Sequence, residues 1–180
     1  MRINVNDAVF CLVDVQERLF PHVANKEIIE QNLITLIKGF KLHNLPFIIN
    51  EQYKKGLGET LPSLRELIDD DPHFEKVTFS CCKNDSTLEA LKKSGKNVVI
   101  VAGIETHVCV LQTCLDLLEE GFTPVLVTDC VSSRQDYNTI MAIERMVQAG
   151  VIPTTYESIL FELTLTAKNP VFKEISKLVK

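Results

Sequence analysis

The chain has 180 residues, of which 46% are hydrophobic, and its net charge at pH 7 is −5. No apolar run approaches the roughly 20 residues of a membrane-spanning helix, and Lys and Arg are not concentrated in any stretch. We therefore expect a soluble protein, without a membrane or nucleic acid as partner, whose length fits a single domain over residues 1–180.

The N-terminus and the cysteines indicate a reducing compartment. Met1 to Asp7 lead directly into an apolar strand, without the apolar region of a signal peptide or an amphipathic transit segment. The six cysteines lie within predicted strands and helices, so we expect reduced thiols and a cytoplasmic protein. No Cys-x-x-Cys or His-x-x-x-His spacing occurs, and we expect neither zinc nor any cofactor.

Strands and helices alternate along the first half of the chain. Ala8 to Val13 is an apolar run typical of a buried strand, and a helical stripe lies between Asn25 and His43, with Asn25 as the predicted N-cap. The pattern then predicts a strand at 47–50, a flexible loop at 54–58, a short helix at 61–68, a strand at 74–80 and a helix at 85–95.

The stretch from Asn97 to Leu118 predicts a buried strand, a tight turn and a helix. Val98 to Ala102 is continuously apolar, Gly103 breaks the run, and apolar residues then recur at three and four positions. Cys109 would lie in the first turn of the helix, where free N–H groups and the helix dipole favour a thiolate. A buried core cysteine would explain Cys109 equally well.

The same alternation continues to the end of the chain. It predicts strands at 124–128 and 151–154, a polar loop at 132–134, and helices at 137–148, 156–163 and 169–179. In the helix at 137–148 we expect inward-facing Ile140, Ile143, Met146 and Val147. Because short crossovers are right-handed, we expect a doubly wound parallel sheet with helices on both faces.

Three residues, Asp14, Lys76 and Cys109, come from the carboxyl-side regions of three different predicted strands and can converge at one edge of this sheet. Asp14 could accept the proton of the Cys109 thiol, and Lys76 could stabilise the resulting charges. Backbone N–H groups between Glu105 and Cys109 could bind an oxyanion. The ordinary alternatives are that Asp14 caps a turn and that Lys76 is a solvated surface lysine.

The segments around these residues resemble the isochorismatase-like cysteine hydrolases over essentially the whole chain. The motifs that carry the resemblance are Asp14-Val15-Gln16, Lys76 within Glu-Lys-Val-Thr-Phe-Ser, and Gly103-Ile104-Glu105-Thr106-His107-Val108-Cys109. The resemblance implies an Asp-Lys-Cys catalytic triad and a Rossmann-like, six-stranded parallel sheet of order 3-2-1-4-5-6. It also implies a non-proline cis peptide before Glu105, which shapes the oxyanion hole, and a homo-oligomer.

Two departures from family patterns narrow the expected chemistry. Isochorismatases proper lack the nucleophilic cysteine and cleave a vinyl ether, so Cys109 favours acyl chemistry. Nicotinamidases of the family carry an Asp-x-His-x-x-His metal site after the second strand, whereas residues 51–58 contain no histidine. The sequence looks most like the small isochorismatase-domain hydrolases, whose substrates are undefined, and we expect this protein to bind no metal.

The leading hypothesis is a cysteine hydrolase that cleaves the C–N bond of a small amide or carbamoyl substrate through a thioester. The competing hypothesis is a non-catalytic oligomeric or partner-binding protein that keeps the fold and an inert pocket. A dinucleotide site is not expected, because no Gly-x-Gly-x-x-Gly follows the first strand. The candidate substrate-binding residues, which could equally serve ordinary packing or face solvent, are Gln16, Phe20, Gln52, Phe79, Thr106 and His107.

Overall fold

The six strands form one parallel sheet in a computed structural model that describes residues 1–180. The strands are β1 (Ala8–Val13), β2 (Phe47–Gln52), β3 (His73–Lys76), β4 (Val98–Ile104), β5 (Thr123–Ser132) and β6 (Ile152–Thr154). Their order across the sheet is β3-β2-β1-β4-β5-β6, and every neighbouring pair is parallel. The predicted doubly wound sheet and its strand order are confirmed.

Helices cover both faces of the sheet. They are α1 (Lys26–Leu42), α2 (Lys54–Leu57), α3 (Pro62–Ile68), α4 (Asp85–Lys93), α5 (Leu111–Glu119), α6 (Asp136–Ala149), α7 (Tyr156–Thr164) and α8 (Phe172–Leu178). Short 3-10 turns occur at Val5–Asp7, Phe20–His22 and Cys81–Lys83, and a π-helical turn at Thr106–Val110 leads into α5. None of these helices combines the length and the apolar character that crossing a bilayer requires.

The core consists of two apolar layers because side chains of a strand alternate between the faces of a sheet. Phe10 of β1 packs with α1, α3, α7 and α8, and its ring meets the rings of Phe40 and Phe47 edge-on at 5.1 and 5.3 Å between centroids. The next residue, Cys11, lies in the opposite layer with α4, α5 and α6. All residues of β1 and β4 are buried, as their continuous apolar runs predict.

Two expectations about the segments near β3 were wrong. Residues 54–57 form the helical turn α2 instead of a flexible loop. Strand β3 ends at Lys76 rather than continuing to residue 80. The chain turns after Lys76 because the carbonyl oxygens of Thr78 and Phe79 fold back to accept hydrogen bonds from its buried ammonium group.

Helix α6 buries less of its apolar surface than the sequence predicts. Met146 is fully buried, but Ile140 and Val147 are 53% and 42% exposed, so their predicted inward orientation is wrong. The reason is the position of α6 beside the edge of the sheet, where β6 contributes only three residues to pack against.

Asn25 precedes α1 at the predicted N-cap position, but its side chain makes no capping bond. Instead, its amide donates a hydrogen bond to Asp136 at the start of α6. Asn25 therefore ties α1 to the other side of the molecule rather than stabilising the helix end.

Candidate active site

Asp14, Lys76 and Cys109 meet at the carboxyl ends of β1, β3 and β4. The Lys76 Nζ lies 2.7 Å from Asp14 Oδ2, and both side chains are fully buried. The Cys109 thiol lies beside the Asp14 carboxyl, and each group alters the pKa of the other. The second carboxyl oxygen, Asp14 Oδ1, is buried without a partner at normal hydrogen-bond distance. It is therefore the atom available to a proton from the thiol.

The backbone around Asp14 explains its position. The chain leaves β1 in a tight turn, with φ of 53° at Asp14 and a hydrogen bond from Gln16 N–H to the Asp14 carbonyl. On the neighbouring strand, Gly103 has φ of 129°, and a Cβ there would lie 2.1 Å from the Val13 carbonyl oxygen. Only glycine permits the two strand ends to approach this closely.

Four acceptors hold the Lys76 ammonium group. Besides Asp14, they are Gln52 Oε1 at 2.7 Å, the Phe79 carbonyl at 3.0 Å and the Thr78 carbonyl at 3.2 Å. Burial by itself lowers the pKa of Lys76. The nearby Cys81 and Asp14 have the opposite effect, the contribution of Cys81 being the larger, and the net result is a raised pKa. Lys76 is therefore a fixed positive charge and not the solvated surface lysine of the alternative interpretation.

The pKa values of the Asp14 carboxyl and of the Cys109 thiol are both raised. Burial raises the pKa of Asp14, and the Lys76 charge only partly opposes it. Burial, followed by the negative charge of Asp14, raises the pKa of the Cys109 thiol. The Lys76 charge opposes this rise but does not cancel it, because Lys76 already neutralises Asp14 and a thiolate would be a second buried anion.

Cys109 lies in the π-helical turn Thr106–Val110, directly after β4. The peptide bond between Ile104 and Glu105 is cis, as the resemblance implied. The Glu105 carbonyl accepts hydrogen bonds from the N–H groups of Val108 and Val110, at 3.1 and 3.2 Å. These contacts fix the turn that carries the cysteine.

Glu105 also links this turn to the loop after β5. Its carboxylate accepts bonds from Arg134 Nε at 2.9 Å and from Arg134 N–H at 3.2 Å. His107 Nδ1 lies 2.9 Å from the Ser133 hydroxyl. Sequence reasoning assigned no role to Ser133 or Arg134, and the only signal for them was a polar run at the end of a predicted strand.

The two glutamines serve the protein's own groups. Gln16 is fully buried; its amide nitrogen donates to the carbonyls of Gln52 and Gly58, and its oxygen accepts the Gln52 N–H. The Gln52 side chain binds Lys76 through its oxygen and the Val77 carbonyl through its nitrogen. Both amide hydrogens of Gln16 are used inside the protein, so Gln16 departs from the expected substrate-binding role and acts as a support. Gln52 also supports Lys76, but one of its two amide hydrogens has no partner, and its substrate-binding role stays a prediction.

The other four candidates differ in exposure. Phe20 is 3% exposed and packs in the core, which makes it a core residue rather than a pocket wall. Phe79 is 53% exposed beside Lys76, and His107 is partly exposed. Thr106 is fully buried, and its hydroxyl has no hydrogen-bond partner. Phe79 and His107 are therefore accessible to a ligand, whereas the Thr106 hydroxyl is not.

The fold and this arrangement agree with the comparison to known families. Residues 8–158 match the model of the isochorismatase domain. The chain belongs to the isochorismatase family. Its fold is that of a family of hydrolases. The secreted isochorismatase effector Isc1 of Phytophthora sojae is 38% identical over 187 residues, which cover 99% of this chain and 87% of the effector.

Solved structures of isochorismatase-fold proteins superpose over nearly the whole chain. MAR1 ribonuclease from Caenorhabditis elegans has a TM-score of 0.94 and 39% identity, covering 99% of this chain and 92% of that one. YcaC from Escherichia coli, an octameric hydrolase of unknown specificity, has a TM-score of 0.94 and 30% identity, covering 99% and 89%. YcaC from Pseudomonas aeruginosa, solved with hexane-2,5-diol and covalent acrylamide, has a TM-score of 0.94 and 28% identity, covering 99% and 90%.

Proposed function

We propose that this protein is a cysteine hydrolase that cleaves the C–N bond of a small amide or carbamoyl compound, with Cys109 as nucleophile. The observation that carries the proposal is the buried Asp14–Lys76 pair with the Cys109 thiol beside it. A buried carboxylate that keeps one oxygen unpartnered next to a thiol is suited to take up its proton.

In the proposed reaction, Asp14 Oδ1 takes the thiol proton while the Cys109 sulfur attacks the substrate carbonyl carbon. The S–C bond forms, and the carbonyl electron pair moves to oxygen. When this intermediate collapses, the C–N bond breaks, and Asp14 returns the proton to the leaving amine. Water then attacks the thioester with Asp14 as base, the C–S bond breaks, and the acid leaves while Cys109 regains its proton.

Charge balance supports this order of events. Before attack, the site contains one carboxylate, one ammonium group and a neutral thiol. After attack, Asp14 is neutral and the negative charge lies on the substrate oxygen, so the buried net charge does not change. We assign stabilisation of this oxyanion to backbone N–H groups between Glu105 and Cys109, and contacts with the substrate to Phe79 and His107.

Two relatives lend further support. The covalent acrylamide in Pseudomonas aeruginosa YcaC is what a nucleophilic thiol would produce, because acrylamide is an electrophile that thiols attack. The octameric Escherichia coli YcaC supports a homo-oligomer here. For the substrate we retain a small molecule over nucleic acid, since the net charge is −5 and no basic stretch occurs.

Thiol alkylation of the native protein tests the nucleophile, with Cys82 as internal control. Cys109 and Cys82 are almost equally accessible, at 5% and 4%, and burial raises the pKa of Cys82 to about 12. Only Cys109 has Asp14 beside it as a base. With iodoacetamide at pH 7 and mapping by mass spectrometry, we expect Cys109 to react at least tenfold faster than Cys82, and Asp14→Asn to remove that advantage.

An amide library with detection of released amine then tests turnover, with Cys109→Ser as the inactive control. If Cys109 reacts no faster than Cys82 in the wild-type protein, the nucleophile assignment is wrong. The non-catalytic, partner-binding hypothesis would then be the better explanation of the fold and the pocket.

A further inference from the structure

A group of buried thiols lies behind the candidate nucleophile. The apolar layer that contains Cys109 also contains four other free cysteines, and the proposed hydrolysis uses none of them. They are Cys11 of β1, Cys81 and Cys82 of the 3-10 turn Cys81–Lys83, and Cys114 of α5. A second thiol close to Cys109 would change what happens when Cys109 is oxidised.

Cys81 is held against the helix that continues from the Cys109 turn. Its backbone N–H donates a hydrogen bond of 3.0 Å to the hydroxyl of Thr113, which is fully buried. Thr113 follows Cys109 by four residues, and residues at that spacing lie on the same side of a helix, with Cβ atoms about 5–6 Å apart. The hydrogen bond therefore places Cys81 beside the side of the helix that carries Cys109.

The turn that begins at Cys81 is also tied to the buried ion pair. It starts two residues after Phe79, whose carbonyl accepts a hydrogen bond from the Lys76 ammonium group. Burial is the main cause of the raised pKa of Cys109, and the charges of Asp14 and Cys81 add to it. Such charge effects on a pKa are strong only over short distances. Cys81 therefore lies near both Lys76 and Cys109.

The remaining thiols of this layer are directed away from Cys109. Cys82 Sγ lies 3.9 Å from the Thr113 carbonyl oxygen. Cys11 Sγ accepts a hydrogen bond of 3.4 Å from the amide of Asn50 on the neighbouring strand. Cys114 comes one residue after Thr113, so it is turned by about 100° around the helix axis. Among these cysteines, Cys81 is the one best placed to meet Cys109.

We propose that Cys81 and Cys109 form a reversible disulfide when hydrogen peroxide enters the site, and that this bond protects the nucleophile from irreversible oxidation. The proposal rests on the proposed function, because it takes Cys109 as the thiol that reacts first. Cys109 is 5% exposed, whereas Cys81 is fully buried, so a small oxidant meets Cys109 first. A sulfenic acid condenses with a neighbouring thiol to a disulfide, and otherwise it can be oxidised to a sulfinic acid that thiols do not reduce.

Two steps account for the atoms and the electrons. The Cys109 sulfur attacks one peroxide oxygen, the O–O bond breaks, and Asp14 passes the thiol proton to the departing hydroxide, which leaves as water. The Cys81 sulfur then attacks the sulfur of the Cys109 sulfenic acid, and the S–O bond breaks. The departing hydroxide takes the Cys81 proton and leaves as a second water. The two thiols lose two electrons, which reduce one peroxide to two waters.

Peptide mapping after peroxide treatment tests the pair. The native protein is oxidised with hydrogen peroxide, the remaining thiols are blocked with iodoacetamide under denaturing conditions, and the tryptic digest is analysed by mass spectrometry without reduction. Trypsin leaves Cys81 in peptide 77–83 and Cys109 in peptide 97–134. We expect these two peptides to be joined, and to separate when dithiothreitol is added. Absence of the joined peptides in the oxidised wild type would overturn the proposal.

Variants identify the two partners within the joined peptides, and circular dichroism verifies that each variant folds. We expect Cys81→Ala and Cys109→Ser to lose the joined peptides at least tenfold. Cys82→Ala is the matched control, because Cys82 is adjacent to Cys81 and similarly buried, and Cys114→Ala is a second control on the helix. Both controls should keep the joined peptides. Joined peptides that persist in Cys81→Ala, or a bond from Cys81 to the peptide of Cys11, would contradict the assignment.

Protection is measured by the recovery of Cys109. Wild type, Cys81→Ala and Cys82→Ala are treated with peroxide and then with dithiothreitol, and the labelling of Cys109 by iodoacetamide is compared with that of untreated samples. We expect wild type and Cys82→Ala to regain most of their labelling, and Cys81→Ala to regain at least threefold less. Equal recovery in all three proteins would show that the disulfide does not protect Cys109.

These outcomes are distinguishable from failure of the proposed function. If Cys109 reacts no faster than Cys82 with iodoacetamide but peroxide still joins Cys81 to Cys109, the disulfide pair stands and the hydrolase proposal fails. If Cys109 is the fast thiol and peroxide converts it to the sulfinic acid equally in wild type and Cys81→Ala, the nucleophile stands and the disulfide proposal fails.

Discussion

Replacing Lys76 by Met tests whether the buried ion pair is a real feature of the site. The substitution keeps an unbranched apolar stem but leaves Asp14 and three further acceptors without the ammonium group. Breaking a fully buried pair by removing one partner costs about 3–5 kcal/mol. For a chain of this length we expect the melting temperature to fall by roughly 6–20 °C at pH 7.

The loss should shrink as the pH falls, and the sign follows from the pKa of Asp14. Burial already raises that pKa, and without Lys76 it rises further, so the folded variant binds a proton that the unfolded chain releases. Stability of the variant therefore increases on acidification through that window, by up to about 1.4 kcal/mol per pH unit. The gap to the wild type should be smaller at pH 5 than at pH 7.

Urea denaturation of the wild type and Lys76→Met at both pH values measures this effect. Lys92→Met is the matched control, because Lys92 pairs with Glu120 at 2.7 Å but is 55% exposed. A surface pair contributes at most about 1 kcal/mol, so this control should be nearly neutral. A loss below about 1 kcal/mol for Lys76→Met, or a loss that does not shrink at pH 5, would refute the reasoning.

Two more predictions concern the same sheet edge. In the wild type, the alkylation rate of Cys109 should rise as the pH passes the pKa of Asp14, which burial raises above its ordinary value. The Asp14→Asn variant should not show this rise. Identical pH profiles of the two proteins would exclude Asp14 as the base. Gly103→Ala should lower the free energy of unfolding by at least about 2 kcal/mol, because its Cβ would lie 2.1 Å from the Val13 carbonyl oxygen. Gly121→Ala, with φ of 82° and no atom within 4 Å, controls for backbone strain, and an equal loss in both variants under urea would contradict the steric argument.

The sequence predicts the strands that are buried on both faces better than those at the edge. Continuous apolar runs define β1 and β4, because a strand with both faces covered by helices takes apolar residues at every position. The length of β3 depends on where Lys76 finds its acceptors: Gln52 lies 24 residues away, and the carbonyls of Thr78 and Phe79 lie in the turn that ends the strand. The orientation of α6 depends on how few sheet residues lie beneath the helix. The spacing of apolar residues within α6 does not show this.

The same division applies to the site. Asp14 was predictable as a charged residue at a strand end, where open α/β sheets place their ligands. Lys76 lay inside the strand predicted at 74–80, and its place at the end of β3 was found only in the structure. The roles of Gln16 and Gln52 could not be predicted, because they depend on hydrogen bonds between residues separated by 24 to 42 positions in the chain. Such contacts follow from strand register, which a periodicity pattern does not determine.

The arrangement of charges also explains why a protonated thiol suits this site. If Cys109 were ionised at rest, Asp14 and the thiolate would compete for the single ammonium group of Lys76 in a buried environment. Keeping the proton on sulfur leaves one balanced ion pair, and the four acceptors around Lys76 hold that pair in place. The proton then has a short path to Asp14 when an electrophilic carbon arrives, so the proposed nucleophile loses its proton only as the bond to that carbon forms.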